Sequence, residues 1–186
     1  MVATEQAALC RSVVQVSHQS QLDFVGGVKA YFPEFFLGGR VLEIGSLNIN
    51  GSVRDFFVNS EEYVGCDLGE GRGVDIVCAG HELPYADGHF DVAISCECFE
   101  HDRHWRKTFS KMIDLVRVGG LVIFSCATTG RQEHGTTRTS PADAPFTNDY
   151  YMNLEAGHFG LLVKRFSRHE FSENQSPRDL YFWGIK

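Results

Sequence analysis

Between Arg40 and Cys126, short apolar runs alternate with segments of helical periodicity, and this alternation leaves few folds open. Arg40–Gly45, Glu62–Cys66, Val74–Cys78, Phe90–Ser95 and Leu121–Cys126 each read as a strand. Strands this apolar throughout belong in a parallel sheet covered on both faces. Ahead of them, from Ser20, the residues Phe24, Val25, Val28, Tyr31 and Phe32 recur at helical spacing until Pro33 stops the run. Gly51–Val58 reads as a second helix. Asp102 can cap a third, with Trp105, Phe109, Met112, Ile113 and Val116 on one face and Gly119 and Gly120 as its end. Tyr150–Val163 reads as a fourth. Ser167–Ser172 and Leu180–Ile185 flank a turn over Asn174–Arg178, which predicts a terminal hairpin. The expected fold class is α/β: doubly wound, a mainly parallel seven-stranded sheet with helices on both faces and a C-terminal antiparallel hairpin.

The 186 residues suit one domain, 1–186, with residues 1–19 as a lead-in carrying the small apolar patch Val13, Val14 and Val16. Acidic side chains outnumber basic ones, 24 to 17, for a net charge of −7. That balance argues against broad nucleic-acid binding through phosphate neutralisation. No apolar run approaches the roughly 20 residues of a bilayer span, and the N-terminus lacks a basic segment before an apolar one, so the expected location is cytoplasmic. Six cysteines, at positions 10, 66, 78, 96, 98 and 126, match no zinc-ligand spacing. Cys66, Cys78, Cys96 and Cys126 fall in or at the ends of predicted strands, where a reduced thiol serves as a small core hydrophobe. No metal site is expected.

In an open parallel sheet, ligands bind beyond the carboxyl ends of the strands. The first strand ends in Gly45-Ser46, where glycine permits a sharp turn and a close approach to the backbone. A helix start nearby would offer amides to an anionic group. The second strand ends in Asp67, about twenty residues on, where a carboxylate can accept from both hydroxyls of a ribose. Alone, Gly45 is also a plain turn glycine and Asp67 a plain solvated strand end. In sequence they predict an adenosine-containing ligand.

Over roughly residues 20 to 128 the chain resembles the class I S-adenosylmethionine-dependent methyltransferases. Val41-Leu42-Glu43-Ile44-Gly45 is similar to that family's first motif, and Tyr63-Val64-Gly65-Cys66-Asp67 to its second. The stretch Glu82-Leu83-Pro84-Tyr85-Ala86-Asp87-Gly88-His89-Phe90-Asp91-Val92-Ala93-Ile94-Ser95 is the most specific signal. Phe99-Glu100-His101 and Val118-Gly119-Gly120-Leu121 follow where the family has related segments. The first turn departs from the family: only Gly45, and Gly51 further along, occupy glycine positions. Ala79-Gly80-His81-Glu82 stands where members often place an adenine-binding aspartate. The resemblance implies S-adenosylmethionine as cofactor. It places Gly45 and Ser46 at the methionine end, with Asn50 among the polar groups there, Asp67 at the ribose, Leu68 on the adenine, and Gly80 and His81 at its edge. Cys96 and Glu97 come near the sulfonium, and Glu43 orients the amino group.

Methyl transfer asks mainly for proximity and orientation, plus a general base when the acceptor is a hydroxyl. His101, after the fourth strand, and His134, in the polar stretch over 129–149 on the family's substrate side, are the catalytic candidates; His104 and His158 are further histidines of the same kind. The acidic surface points to a small-molecule, sugar or lipid-linked acceptor. The rival class is a non-catalytic module binding S-adenosylmethionine or S-adenosylhomocysteine as sensor or partner subunit. The acceptor, the chemistry of the methylated atom and the oligomeric state are not specified by the sequence.

Overall fold

Residues 19–186 are described by a computed structural model of the chain. Cys10, the Val13–Val16 patch and all of the expected lead-in except Gln19 lie outside them. The strands are β1 (Arg40–Ile44), β2 (Glu62–Asp67), β3 (Ile76–Val77), β4 (Phe90–Cys96), β5 (Val116–Ala127), β6 (Arg168–Glu173) and β7 (Asp179–Ile185). They form one sheet in the order β3-β2-β1-β4-β5-β7-β6. β1 to β5 pair in parallel, and β7 lies antiparallel between β5 and β6, which makes the terminal hairpin. The chain runs outward from β1 to β3 and then returns to β1's other side as β4. The order therefore reverses between β1 and β4, and a crevice opens beyond the carboxyl ends of the strands at that switch point.

Successive side chains of a strand point to opposite faces, so strands apolar on both faces need two covers. One face carries Leu42, Ile44, Val64, Ala93 and Val122 beneath Phe109, Met112 and Ile113 of α2 (Trp105–Leu115), with Phe159, Val163 and Phe166 beside it. The other carries Val41, Val92, Ile94 and Ile123 beneath Val25 and Val28 of α1 (residues 19–31), with Phe36, Phe57 and Trp183. Each fully buried Leu, Ile or Phe contributes roughly 1.5–3 kcal/mol against exposure.

Four expected elements differ. Gly51–Val58 is not a helix; only a 3-10 turn forms, Arg54–Phe56, and Phe57 turns extended to stack on Phe36 at 4.6 Å. Asn48 Oδ1 accepts the Gly51 amide at 3.0 Å, a local turn that competes with helix nucleation. Tyr150–Val163 is likewise not a helix. Its backbone is tied to other elements, Met152 N–H to the Glu100 carbonyl and Leu154 N–H to that of Ala127, both at 2.9 Å, before the 3-10 turns Ala156–Phe159 and Leu162–Arg165. α2 stops at Leu115, earlier than the glycine pair, because Val116 already pairs with Phe90 in the sheet. The third strand shrinks from Val74–Cys78 to two residues.

Candidate active site

A cleft of about 720 Å³ opens over the carboxyl ends of β1, β2 and β4. Its wall includes Glu43, Gly45, Ser46, Asn50, Asp67, Leu68, Gly80, His81, Cys96 and Glu97, and on the far side His101 and His134. Sheet topology brings these twelve positions together from five separate stretches of sequence.

The floor is the turn after β1. Gly45 has φ +77°, and a Cβ there would stand 2.7 Å from the Cβ of Cys98, so only glycine fits where the post-β1 and post-β4 turns touch. Gly45 and Ser46 give their amides to the Cys66 carbonyl, and Asn48 gives its own to Arg72. Leu47 N–H donates to Asp67 Oδ2 at 3.0 Å. The expectation of free helix-start amides for an anionic group is thereby corrected: no helix begins here, and the amides of 45–48 are bound to β2 and the loop after it. Polar reach into the cleft falls to side chains. Ser46 Oγ and His81 Nδ1, on two of its lining residues, are buried with no hydrogen-bond partner among the described residues.

Asp67 ends β2 half-buried, with Oδ1 accepting the Leu68 amide at 2.7 Å. Burial pushes its carboxyl above the usual range, and the amides of Leu47, Leu68 and Gly69 oppose this. These amide bonds still leave a lone pair on the carboxylate for a hydroxyl donor. Leu68 beside it is 46% exposed. Glu43 is buried and accepts from Tyr63 Oη at 2.9 Å. Burial pushes its pKa up to about 7, against the Tyr63 bond and the Arg54 charge. Burial also pushes the Cys96 thiol up.

Glu97, in a left-handed backbone conformation, accepts from Ser125 Oγ at 2.9 Å and faces the Arg131 guanidinium at 3.7 Å. Burial foremost, then the Asp179 charge, raises its pKa to about 7 against Arg131. Arg131 also pairs with the buried Asp179 of β7, which accepts from Tyr181 Oη at 3.0 Å. Sequence reasoning missed this network, because nothing local marks Asp179 as the residue meeting a loop 48 positions away.

His101, His134 and Tyr151 converge on the far wall, with centroids 5.0 Å apart for the histidines, 5.4 Å for His101 and Tyr151, and 5.0 Å for His134 and Tyr151. Burial, with His134 beside it, lowers the His101 pKa to about 4 despite a hydrogen bond to the Tyr150 backbone. Burial lowers that of His134 as well. Both imidazoles are therefore neutral near pH 7. His104 lines the cleft 5.0 Å from His81, whereas His158 caps the turn at Glu155 through Nδ1. Phe146 was also missed. It is 48% exposed in the cleft wall, and a Cβ on Gly69 would lie 2.0 Å from its ring. An aromatic inside a polar, Pro-containing stretch was the only signal.

Residues 54–124 match the methyltransferase domain family. The fold is similar to that of phosphoethanolamine N-methyltransferase 2 of Haemonchus contortus, solved with phosphomonomethylethanolamine and S-adenosylhomocysteine. The TM-score is 0.62 at 15% identity, over 88% of this chain and 52% of that one. The chain has the fold of a class I, S-adenosylmethionine-dependent methyltransferase.

Two other structures with this methyltransferase fold match over nearly the full length. A Thermotoga maritima S-adenosylmethionine-dependent methyltransferase, described as a possible histamine N-methyltransferase, gives a TM-score of 0.61 at 16% identity, covering 98% of this chain and 96% of that one. The 1,6-didemethyltoxoflavin-N1-methyltransferase of Burkholderia thailandensis, with 1,6-didemethyltoxoflavin and S-adenosylhomocysteine bound, gives 0.60 at 15%, covering 98% and 89%. The chain spans about half the length of the Haemonchus enzyme. No curated protein matches it in sequence. Among the described residues, no helix is long and apolar enough to cross a membrane.

Proposed function

We propose that this chain is an S-adenosylmethionine-dependent methyltransferase acting on a small-molecule, sugar or lipid-linked acceptor. The observation that carries the reading is Asp67 at the end of β2, fixed by the Leu47 amide beside a turn where only Gly45 fits. The residues present suit the cofactor. Asp67 would hold the ribose hydroxyls, Leu68 and Phe146 supply apolar surface for the adenine, and Gly80 and His81 border its edge. Ser46, Asn50 and Glu43 would receive the methionine end, the buried Ser46 Oγ having no partner among the described residues. Cys96 and Glu97 would flank the reacting centre. When bound, the sulfonium supplies a methyl group that passes to a nucleophile as the carbon–sulfur bond breaks. The chain's own residues orient the acceptor and exclude water.

The stretch over 129–149 supplies the substrate-side wall, with His134, and His101 behind it, as the groups meeting the acceptor. Their neutral imidazoles offer nitrogen lone pairs on the acceptor side. The non-catalytic sensor reading is not favoured, because this second wall is built of groups suited to an acceptor. The small-molecule acceptors of the Haemonchus and Burkholderia enzymes support the choice of acceptor class. The test is transfer of labelled methyl from S-adenosylmethionine into small-molecule extracts. We expect transfer by the unaltered chain and none by a His101→Ala/His134→Ala protein that still binds the cofactor. Undiminished transfer by the double variant contradicts the histidine assignment, and no transfer by either protein contradicts catalysis.

A further inference from the structure

We infer that Glu100, His101 and His134 form a binding site for one divalent first-row transition-metal ion at the acceptor side of the cleft. The inference rests on the methyltransferase reading only for what the ion does, and stands on its own geometry for where the ion binds.

One donor atom from each of the three side chains lies within 4.8 Å of the other two. Donors bound to one ion at about 2.1 Å stand at most ~4.2 Å apart, so a small rotamer adjustment closes the set. Two further observations point to a ligand. Glu100 is fully buried; its Oε1 accepts the Ala127 amide at 3.0 Å, its carboxyl faces that of Glu97, and its Oε2 has no geometric hydrogen bond among the described residues. His101, 7% exposed, has its Nδ1 buried and likewise without a partner among the described residues. A buried acceptor left unpaired is destabilising, so two of them beside each other ask for a missing partner, and an ion satisfies both. The supporting shell is in place as well. His134 Nδ1 stands 3.1 Å from the Gln132 carbonyl, which fixes that nitrogen as the N–H and leaves Nε2 as the ligand. The turn carrying Glu100 and His101 is pinned by Met152 N–H on the Glu100 carbonyl. Two imidazoles and one carboxylate select manganese-to-zinc ions over calcium or magnesium, and three protein donors leave positions open.

His101 and His134 face the cleft, so those positions face the acceptor. The substrate class then narrows to a hydroxyl compound. The ion draws in the hydroxyl oxygen and eases loss of its proton to solvent water. The oxygen forms a bond to the methyl carbon while the carbon–sulfur bond breaks and its electron pair stays on sulfur.

The experiment is titration of chelator-treated protein with Mn²⁺ and Co²⁺, without S-adenosylmethionine, by calorimetry and by the visible Co²⁺ spectrum. We expect one ion per chain, and a Kd raised at least ~30-fold in His134→Ala, whose loop position spares the core, and in Glu100→Gln. Asp67→Asn should bind the ion as the unaltered chain does while binding the cofactor roughly 10- to 100-fold more weakly. No saturable site, or equal affinity in a folded His134→Ala protein, overturns the inference and leaves the cofactor reading intact. Metal binding without cofactor binding does the reverse.

Discussion

The amide of Leu47 donates to the carboxylate of Asp67 at 3.0 Å, so one side chain both finishes β2 and holds the turn leaving β1. Asp67 thus shapes the cleft floor as well as offering itself to a ligand. Removing a charged acceptor of this kind costs about 1.5–3 kcal/mol, or roughly 10- to 100-fold in Kd. Asp67→Asn keeps the shape and should weaken S-adenosylmethionine binding by that factor with a modest fall in Tm. Calorimetry on the two proteins checks it, and unchanged affinity removes the ribose role.

Gly45→Ala is expected to destabilise the fold by about 2–3 kcal/mol, since the new methyl meets Cys98 at 2.7 Å in a backbone conformation that L side chains rarely adopt. Urea unfolding measures this directly. A loss under about 0.5 kcal/mol means that the two turns do not pack as described.

Much of this frame is legible in the sequence, and the reason is physical. β1, β2, β4 and β5 are apolar on both faces because both are covered, and a turn glycine and a terminal aspartate mark where two of them stop. The terminal hairpin announces itself by the turn at Asn174–Arg178. Helices were over-read at Gly51–Val58 and Tyr150–Val163, where apolar spacing is present but the backbone amides are claimed by other elements. Long-range pairings left no trace at all. Arg131 with Asp179, Phe146 on Gly69, and Glu100 beside His134 join stretches that only the folded topology brings together.

Glu43 gives the chain a pH signature. Its pKa rises from 4.5 to about 7 on burial, so between those values the folded state keeps a proton that the unfolded chain has released. Stability contributed at this site is present below pH 4.5, falls as pH rises toward 7, and is gone above it. Glu43→Gln removes the effect and should be more stable than the unaltered protein above pH 7, by up to about 3 kcal/mol. Urea midpoints at pH 5 and pH 8 decide: a gap between the two proteins that does not widen with pH contradicts the assignment.

Phe146→Ala should raise the Kd for adenosine-containing ligands about 10-fold while leaving Tm within ~2 °C, because its half-exposed ring lines the cleft and carries little of the core. Equal Kd values place the ring outside the binding surface.

The most direct measurement is calorimetric titration of S-adenosylmethionine and S-adenosylhomocysteine into the purified chain and its Asp67→Ala variant. The account predicts saturable one-to-one binding of both compounds to the unaltered chain and its loss in the variant. A flat titration for the unaltered chain contradicts it.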